Sequence, residues 1–161
     1  MTLYMKNATD EGKALFHLHD GNGEALWHVF SAENTPGKLY IADEQGKELL
    51  YVSPALVSLY PKYHLSIAGV ERVRVAYKSG RGNNPTLTGA GGWVLLGNAC
   101  AGEYSVVDRE KQVIFSHERK WGPGGEYVRL EVPQSQQLLL SAGIAVVIDQ
   151  TIVITPQVQP I

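Results

Sequence analysis

The sequence predicts a mainly β domain of about a dozen short strands with one apolar helix near its C-terminus. Three observations predict it. Turn signals recur roughly every 8 to 12 residues, the spacing of a β-sandwich or barrel. Apolar and polar residues alternate between those turns. One uncharged run, Leu138 to Ile148, is longer than an ordinary strand.

The turn signals are Asp20-Gly21-Asn22-Gly23, Thr35-Pro36-Gly37, Asp43-Glu44-Gln45-Gly46, Ala68-Gly69, Ser79-Gly80-Arg81-Gly82 and Gly122-Pro123-Gly124-Gly125. Glycine reaches positive φ without a steric cost, and proline presets a turn φ.

The first hairpin is the most readable. Ala14, Phe16 and Leu18 alternate with Leu15, His17 and His19; Ala25, Trp27 and Val29 alternate with Glu24, Leu26 and His28. A two-residue Gly21-Asn22 loop of type II′ predicts Leu18 opposite Ala25, Phe16 opposite Trp27 and Ala14 opposite Val29. All six then share the core face. Leu15, His17, His19, Glu24, Leu26 and His28 take the other, and a one-residue slip would mix the two sets.

Later segments follow the same rule. Leu39 and Ile41 precede the Asp43 turn, and Leu50 and Val52 follow it. Val73, Val75 and Tyr77 alternate with Arg72, Arg74 and Lys78; Val113 and Phe115 alternate after Asp108; Tyr127, Arg129 and Glu131 alternate with Val128, Leu130 and Val132. So many short strands curl or close rather than stay open.

Pro133 ends the last strand, and Ser135 is placed to cap a helix near 135–149. Ile144, Val146, Val147 and Ile148 are β-branched and Gly143 is a poor helix former, so length decides for helix. Gly143 would let a strand pack close to it. The organisation is one domain over 1–150 and a loose extension over 151–161 with Pro156 and Pro160.

Composition bounds the function. The chain has 161 residues, 44% hydrophobic and 19% charged, with net charge −2. That suits one globular core and gives no overall bias toward nucleic acid. The single cysteine, Cys100, builds neither a disulfide framework nor a cysteine zinc site. The N-terminus lacks a signal-peptide pattern, and Leu138–Ile148 is too short to span a bilayer, which takes about 17 residues or more. A cytoplasmic, soluble protein without cofactor is the expectation.

The chain resembles the LURP-one-related group of the tubby C-terminal-like superfamily. The resemblance lies in Phe16-His17-Leu18-His19-Asp20-Gly21-Asn22-Gly23, then Leu39-Tyr40-Ile41-Ala42-Asp43-Glu44-Gln45-Gly46, then Ser58-Leu59-Tyr60-Pro61-Lys62-Tyr63-His64-Leu65, and the close from Leu138-Leu139-Leu140 to Ile148-Asp149. These are turns and apolar alternation over roughly residues 3 to 150. The resemblance implies a closed antiparallel barrel of about 12 strands around one central hydrophobic helix, hence a filled lumen. It implies little about activity. The tubby branch binds phosphoinositide headgroups through basic side chains on the barrel surface; the scramblase branch works at membranes through apolar anchors, for which this chain has no spare segment.

Two clusters carry candidate chemistry. Arg72, Arg74, Lys78 and Arg81, with Lys62, form a basic ridge against the single acid Glu71. Guanidinium forks suit phosphate, and a glycine-rich loop can add N–H donors. An ordinary solvated strand face also carries charge. The second cluster is His17, His19, Glu24 and His28 on the outer face of the first hairpin, a ligand set for zinc, nickel or iron. Histidine and glutamate on an outer face are also common without a metal.

Trp121, in Lys120-Trp121-Gly122-Pro123-Gly124-Gly125, is expected to plug one barrel end, with a partner contact as the alternative; Trp93 admits the same pair of readings. There is no G-x-S-x-G elbow, no HExxH and no phosphate-loop fingerprint, and Cys100 has no base nearby in sequence. His64 and His117 have no visible nucleophile. The sequence therefore favours a non-enzymatic binding or regulatory module for an anionic lipid headgroup or a protein partner. A metal-binding protein and a structural or protein-interaction domain are the alternatives.

Overall fold

The computed structural model describes residues 1–8, 14–32, 37–78 and 82–152. Its strands are β1 (Thr2–Asn7), β2 (Ala14–His19), β3 (Ala25–Ser31), β4 (Leu39–Asp43), β5 (Glu48–Pro54), β6 (Lys62–Ile67), β7 (Val70–Ala76), β8 (Thr86–Thr88), β9 (Val94–Asn98), β10 (Glu103–Val107), β11 (Val113–Gly122) and β12 (Gly125–Glu131). A 3-10 turn, Ser135–Gln137, leads into α1 (Leu138–Thr151). The twelve strands make one antiparallel sheet in the order β8-β7-β6-β5-β4-β3-β2-β1-β12-β11-β10-β9. The sheet rolls into a nearly closed barrel.

Alternation explains the wall. Leu3, Leu18, Val29, Leu50, Leu65, Val73, Val75, Phe115 and Leu130 all point inward and are buried. Helix α1 fills the space they enclose. Leu138 and every residue from Leu140 to Ile148 are buried, so the helix has no solvent face, as an all-apolar run requires. Gly143 is where the strands come closest. A Cβ there would lie 2.6 Å from Leu50 Cδ1 and 3.2 Å from Leu65 Cδ2. The helix extends two residues beyond the expected end at 149, and Ser135 enters the 3-10 turn instead of capping α1.

The β2–β3 register differs from the expectation by two residues. Leu18 faces Trp27, Phe16 faces Val29, His17 faces His28, and His19 faces Ala25 across a bulge. The loop is longer because Asp20 closes it: its Oδ1 accepts from the N–H of Asn22 (2.8 Å) and of Glu24 (3.0 Å). Gly23, not Gly21, takes the positive φ, +83°. A shift of two keeps both faces intact.

The barrel closes imperfectly between β8 and β9. The Asn84 side chain spans that seam, donating to Gly97 O (2.8 Å) and accepting from Ala99 N–H (2.9 Å). One amide thus stands in for a pair of ladder bonds. Antiparallel alternation also sorts the connections. Those after β1, β3, β5, β7, β9 and β11 lie at the end where α1 exits, here the upper end. Those after β2, β4, β6, β8 and β10 lie at the lower end.

Candidate functional site

The helix occupies the lumen, so recognition falls to the outside of the barrel and its two ends. Three regions there carry chemistry.

The basic face lies on β6 and β7. Residues Lys62, His64 and Ser66 run down β6 opposite Ala76, Arg74 and Glu71 on β7. A bulge between Leu65 and Ser66 puts both Glu71 and Arg72 on the outer surface. Glu71 then pairs sideways with Arg74 (Nε–Oε1 2.5 Å) and accepts from His64 (2.7 Å). Those bonds, Arg74 first and His64 second, hold the Glu71 carboxyl down at about 2. The same bond raises the Arg74 guanidinium. Arg74 is therefore already engaged. Arg72 and Lys78 are exposed, and among the described residues no carboxylate pairs with either. A small hollow between Arg72, Arg74, Thr88 and Gly89 lies beside them. Arg81 falls outside the described residues.

The histidine face is rearranged by the new register. The Nδ1 atoms of His17 and His28 lie 2.6 Å apart, and His28 Nε2 donates to Glu44 (2.7 Å). Glu44, from the β4–β5 turn, thus takes the place expected for Glu24. His19 is 6.4 Å from His17 between ring centroids, with its Nδ1 buried and unbonded. Among the described residues no group of three or more His, Cys, Asp or Glu is placed to hold a metal ion. The same outer face continues as rings: His28 near Phe30, Phe30 stacked on Tyr40 at 5.2 Å, and Tyr40 near Tyr51.

The third region is the upper end. It holds a buried pair that reading the sequence missed. His117 is in phase with Phe115 and points into the core, where Nδ1 donates to Gly102 O (2.7 Å) and Nε2 reaches Asp149 (3.0 Å). Both ring nitrogens have a fixed partner, the Gly102 carbonyl on one side and the Asp149 side chain on the other, which sets the orientation of the ring. Tyr104 stacks on it at 4.5 Å, and burial pushes the Tyr104 phenol well up. The legible signal was one aspartate closing an otherwise uncharged helix, with a histidine two residues after a core phenylalanine. No nucleophile joins the pair, and its role is to fasten α1 to the wall.

Beyond this pair, the described part of the upper end also exposes apolar side chains. The β5–β6 connection, residues 55–61, exposes Leu56 (95%), Val57 (97%) and Leu59 (88%). A cleft of about 700 Å³ lies beneath it, against Leu39, Tyr63 and Val147. Trp121 is 77% exposed at the β11–β12 tip, so it does not plug the barrel. Its flanking Gly122-Pro123-Gly124-Gly125 turn has no apolar surface for the ring to fold onto. Trp93, like Trp27, packs on the core.

Comparisons with known proteins agree with the architecture. No family model matches the chain. It is similar to YxjI, an uncharacterised protein of Bacillus subtilis, with 26% identity over 151 residues and 93% of each chain covered. It is also similar in fold to a protein from Arabidopsis thaliana solved by X-ray crystallography. The TM-score there is 0.64 at 12% identity, over 92% of this chain and 91% of the other.

Proposed function

We propose that this chain is a non-catalytic binding module of the LURP-one-related, tubby C-terminal-like kind, and that it recognises anionic groups on the outer face of β6 and β7. Family membership is supported by the order of twelve strands around one apolar helix and by the full-length likeness to YxjI. The anion reading is carried by one observation: Arg72 and Lys78 are exposed cations with no carboxylate partner among the described residues, in a molecule whose net charge is −2. Lys62 and Arg74 extend the same face. The module is read as non-catalytic because His117–Asp149, a buried acid–base pair among the described residues, is engaged in holding α1 to the wall through Gly102 O and the Asp149 side chain.

Thermal denaturation at low salt with inositol hexakisphosphate tests it, since a ligand of the folded state raises the midpoint. The expected rise fades with added salt and disappears in Arg72→Glu/Lys78→Glu. A rise that survives that double reversal overturns the site. Glu71→Gln frees Arg74 and is expected to tighten binding several-fold.

The histidine face supports a second reading more weakly. His17 and His28 meet, and Glu44 orients His28 as a carboxylate orients a metal-bound imidazole. Zinc and nickel titrations with no midpoint change would remove it.

A further inference from the structure

We propose that the upper end of the barrel docks on a lipid bilayer, with residues 55–61 entering the boundary between headgroups and acyl chains. The headgroup part of this proposal rests on the anion reading above; the insertion part does not.

The connection is built to stand out. Ala55 N–H bonds Lys62 O (2.8 Å) and Tyr77 N–H bonds Pro61 O (2.9 Å), so the neck is closed on both sides. Ser58 Oγ donates to Tyr60 O (2.6 Å) inside the loop. From Val52 to Pro61 the chain carries no charge. Three aliphatic side chains on one closed loop, with a cleft beneath them, stand almost fully exposed among the described residues. A contiguous apolar projection of this kind marks an interaction surface.

The shape of the end selects the partner. Four strands separate the β5–β6 hairpin from the β11–β12 hairpin whichever way the barrel is followed. Loop 55–61 and Trp121 therefore project from opposite sides of one mouth. A groove on a protein takes one tip; a flat, extended, apolar phase takes both. Tryptophan and tyrosine, here Trp121 and Tyr60, suit the interfacial layer.

Charge selects the lipid. Lys62 and Lys78 flank the neck of loop 55–61, and the basic face runs down from them. Among the described residues, the exposed acids near this end, Glu103, Glu118 and Glu126, belong to β10–β12, where Arg119 pairs with Glu126 and Lys120 with Glu118; the buried Asp149 of α1 pairs with His117. An anionic bilayer thus draws in the loop 55–61 side first. Apolar insertion and headgroup attraction add, and neither alone gives firm binding.

The test is sedimentation with vesicles of phosphatidylcholine, with and without phosphatidylserine. The full chain is expected to sediment with the mixed vesicles. Leu56→Ser/Val57→Ser/Leu59→Ser is expected to lower the bound fraction by at least about tenfold, with an unchanged thermal midpoint and an unchanged response to inositol hexakisphosphate. Val57→Trp in a Trp121→Phe background should show a blue-shifted emission quenched by brominated lipid. A triple-serine variant that sediments like the parent overturns the proposal, as does an unquenched Val57→Trp. Self-association that the triple-serine change abolishes, without vesicle binding, would assign the end to a second copy instead. Vesicle binding that needs the loop but persists in Arg72→Glu/Lys78→Glu keeps insertion and removes the headgroup reading.

Discussion

The two ends of this barrel are made differently. At the lower end three connections repeat one device. Asp20, Asp43 and Asp108 each accept, at Oδ1, the N–H four residues on, from Glu24 (3.0 Å), Lys47 (2.9 Å) and Gln112 (2.9 Å). Each also donates its own N–H to that residue's carbonyl. The third residue after the aspartate takes positive φ, at Gly23, Gly46 and Lys111. A two-residue turn, Ala68-Gly69, adds a fourth compact connection. At the upper end four of the six connections are longer than any at the lower end, and the described part has exposed aliphatic side chains and a buried pair below the surface. One end satisfies its own backbone, and the other presents side chains outward. Recognition on a rigid scaffold is ordinarily carried by the second kind of end.

The largest test of this contrast concerns what lies under the upper end. His117→Phe takes the nearer partner from the buried Asp149 side chain and leaves it Arg119, whose Nη2 lies 4.0 Å away. It is expected to cost about 3 to 5 kcal/mol in urea denaturation, and adding Asp149→Leu should restore most of that. If the single change is silent, α1 is not fastened there. Next comes Asp43→Ala, which strips two side-chain bonds from the Lys47 and Gln45 amides. The expected loss is about 1 to 2 kcal/mol. The serine changes at Leu56, Val57 and Leu59 should stay within about 0.5 kcal/mol of zero. Equal losses at the two ends would dissolve the contrast.

A smaller effect sharpens it. Lys111 holds φ +63° in a turn whose two counterparts use glycine. Lys111→Gly is expected to stabilise by about 1 kcal/mol, read as a raised midpoint. Smallest is a pH effect on the barrel wall. Glu71 stays ionised in the folded chain to about pH 2, whereas the unfolded chain binds its proton near 4.5. Its contribution is whole above pH 4.5 and is lost as pH falls toward 2. Solvent screening keeps it modest. Denaturation midpoints of Glu71→Gln and the parent should converge across that window.

Alternation made the wall legible from sequence, because a strand's faces are set by parity alone. Length and absence of charge made the helix legible, and Gly143 announced the close strand. What escaped depends on events two residues wide. Asp20 and Asp43 open near-identical turns, yet the glycine at 21 drew the positive φ that belongs to Gly23, and the hairpin slid. The slide separated Glu24 from the histidines and delivered Glu44. The bulge beside Ser66 turned Glu71 onto the arginine ridge, which no count of charges reveals. Loop 55–61 reads as core from its composition, since apolar residues do not declare whether they face in or out. Residues 9–13, 33–36, 79–81 and 153–161 lie outside the described structure, and with them the expected turns at Thr35 and Ser79 and the C-terminal extension.

The Asn84 bridge has a consequence for how the molecule is assembled. The sheet is a ribbon rolled on itself and buttoned by side chains, Asn84 in the middle and Cys100 Sγ to Gly82 O beside it, not a hoop. Its core helix is also the last element in the sequence. The helix must be inside before the ribbon shuts, so the twelve strands wait, rolled but unfastened, until the end of the chain arrives. Tyr77, beside the seam strands, then meets Thr151 at the helix's final turn. The button closes last and opens first, and amide exchange should run outward from β8 and β9 toward β2 and β3, the strands farthest round the roll.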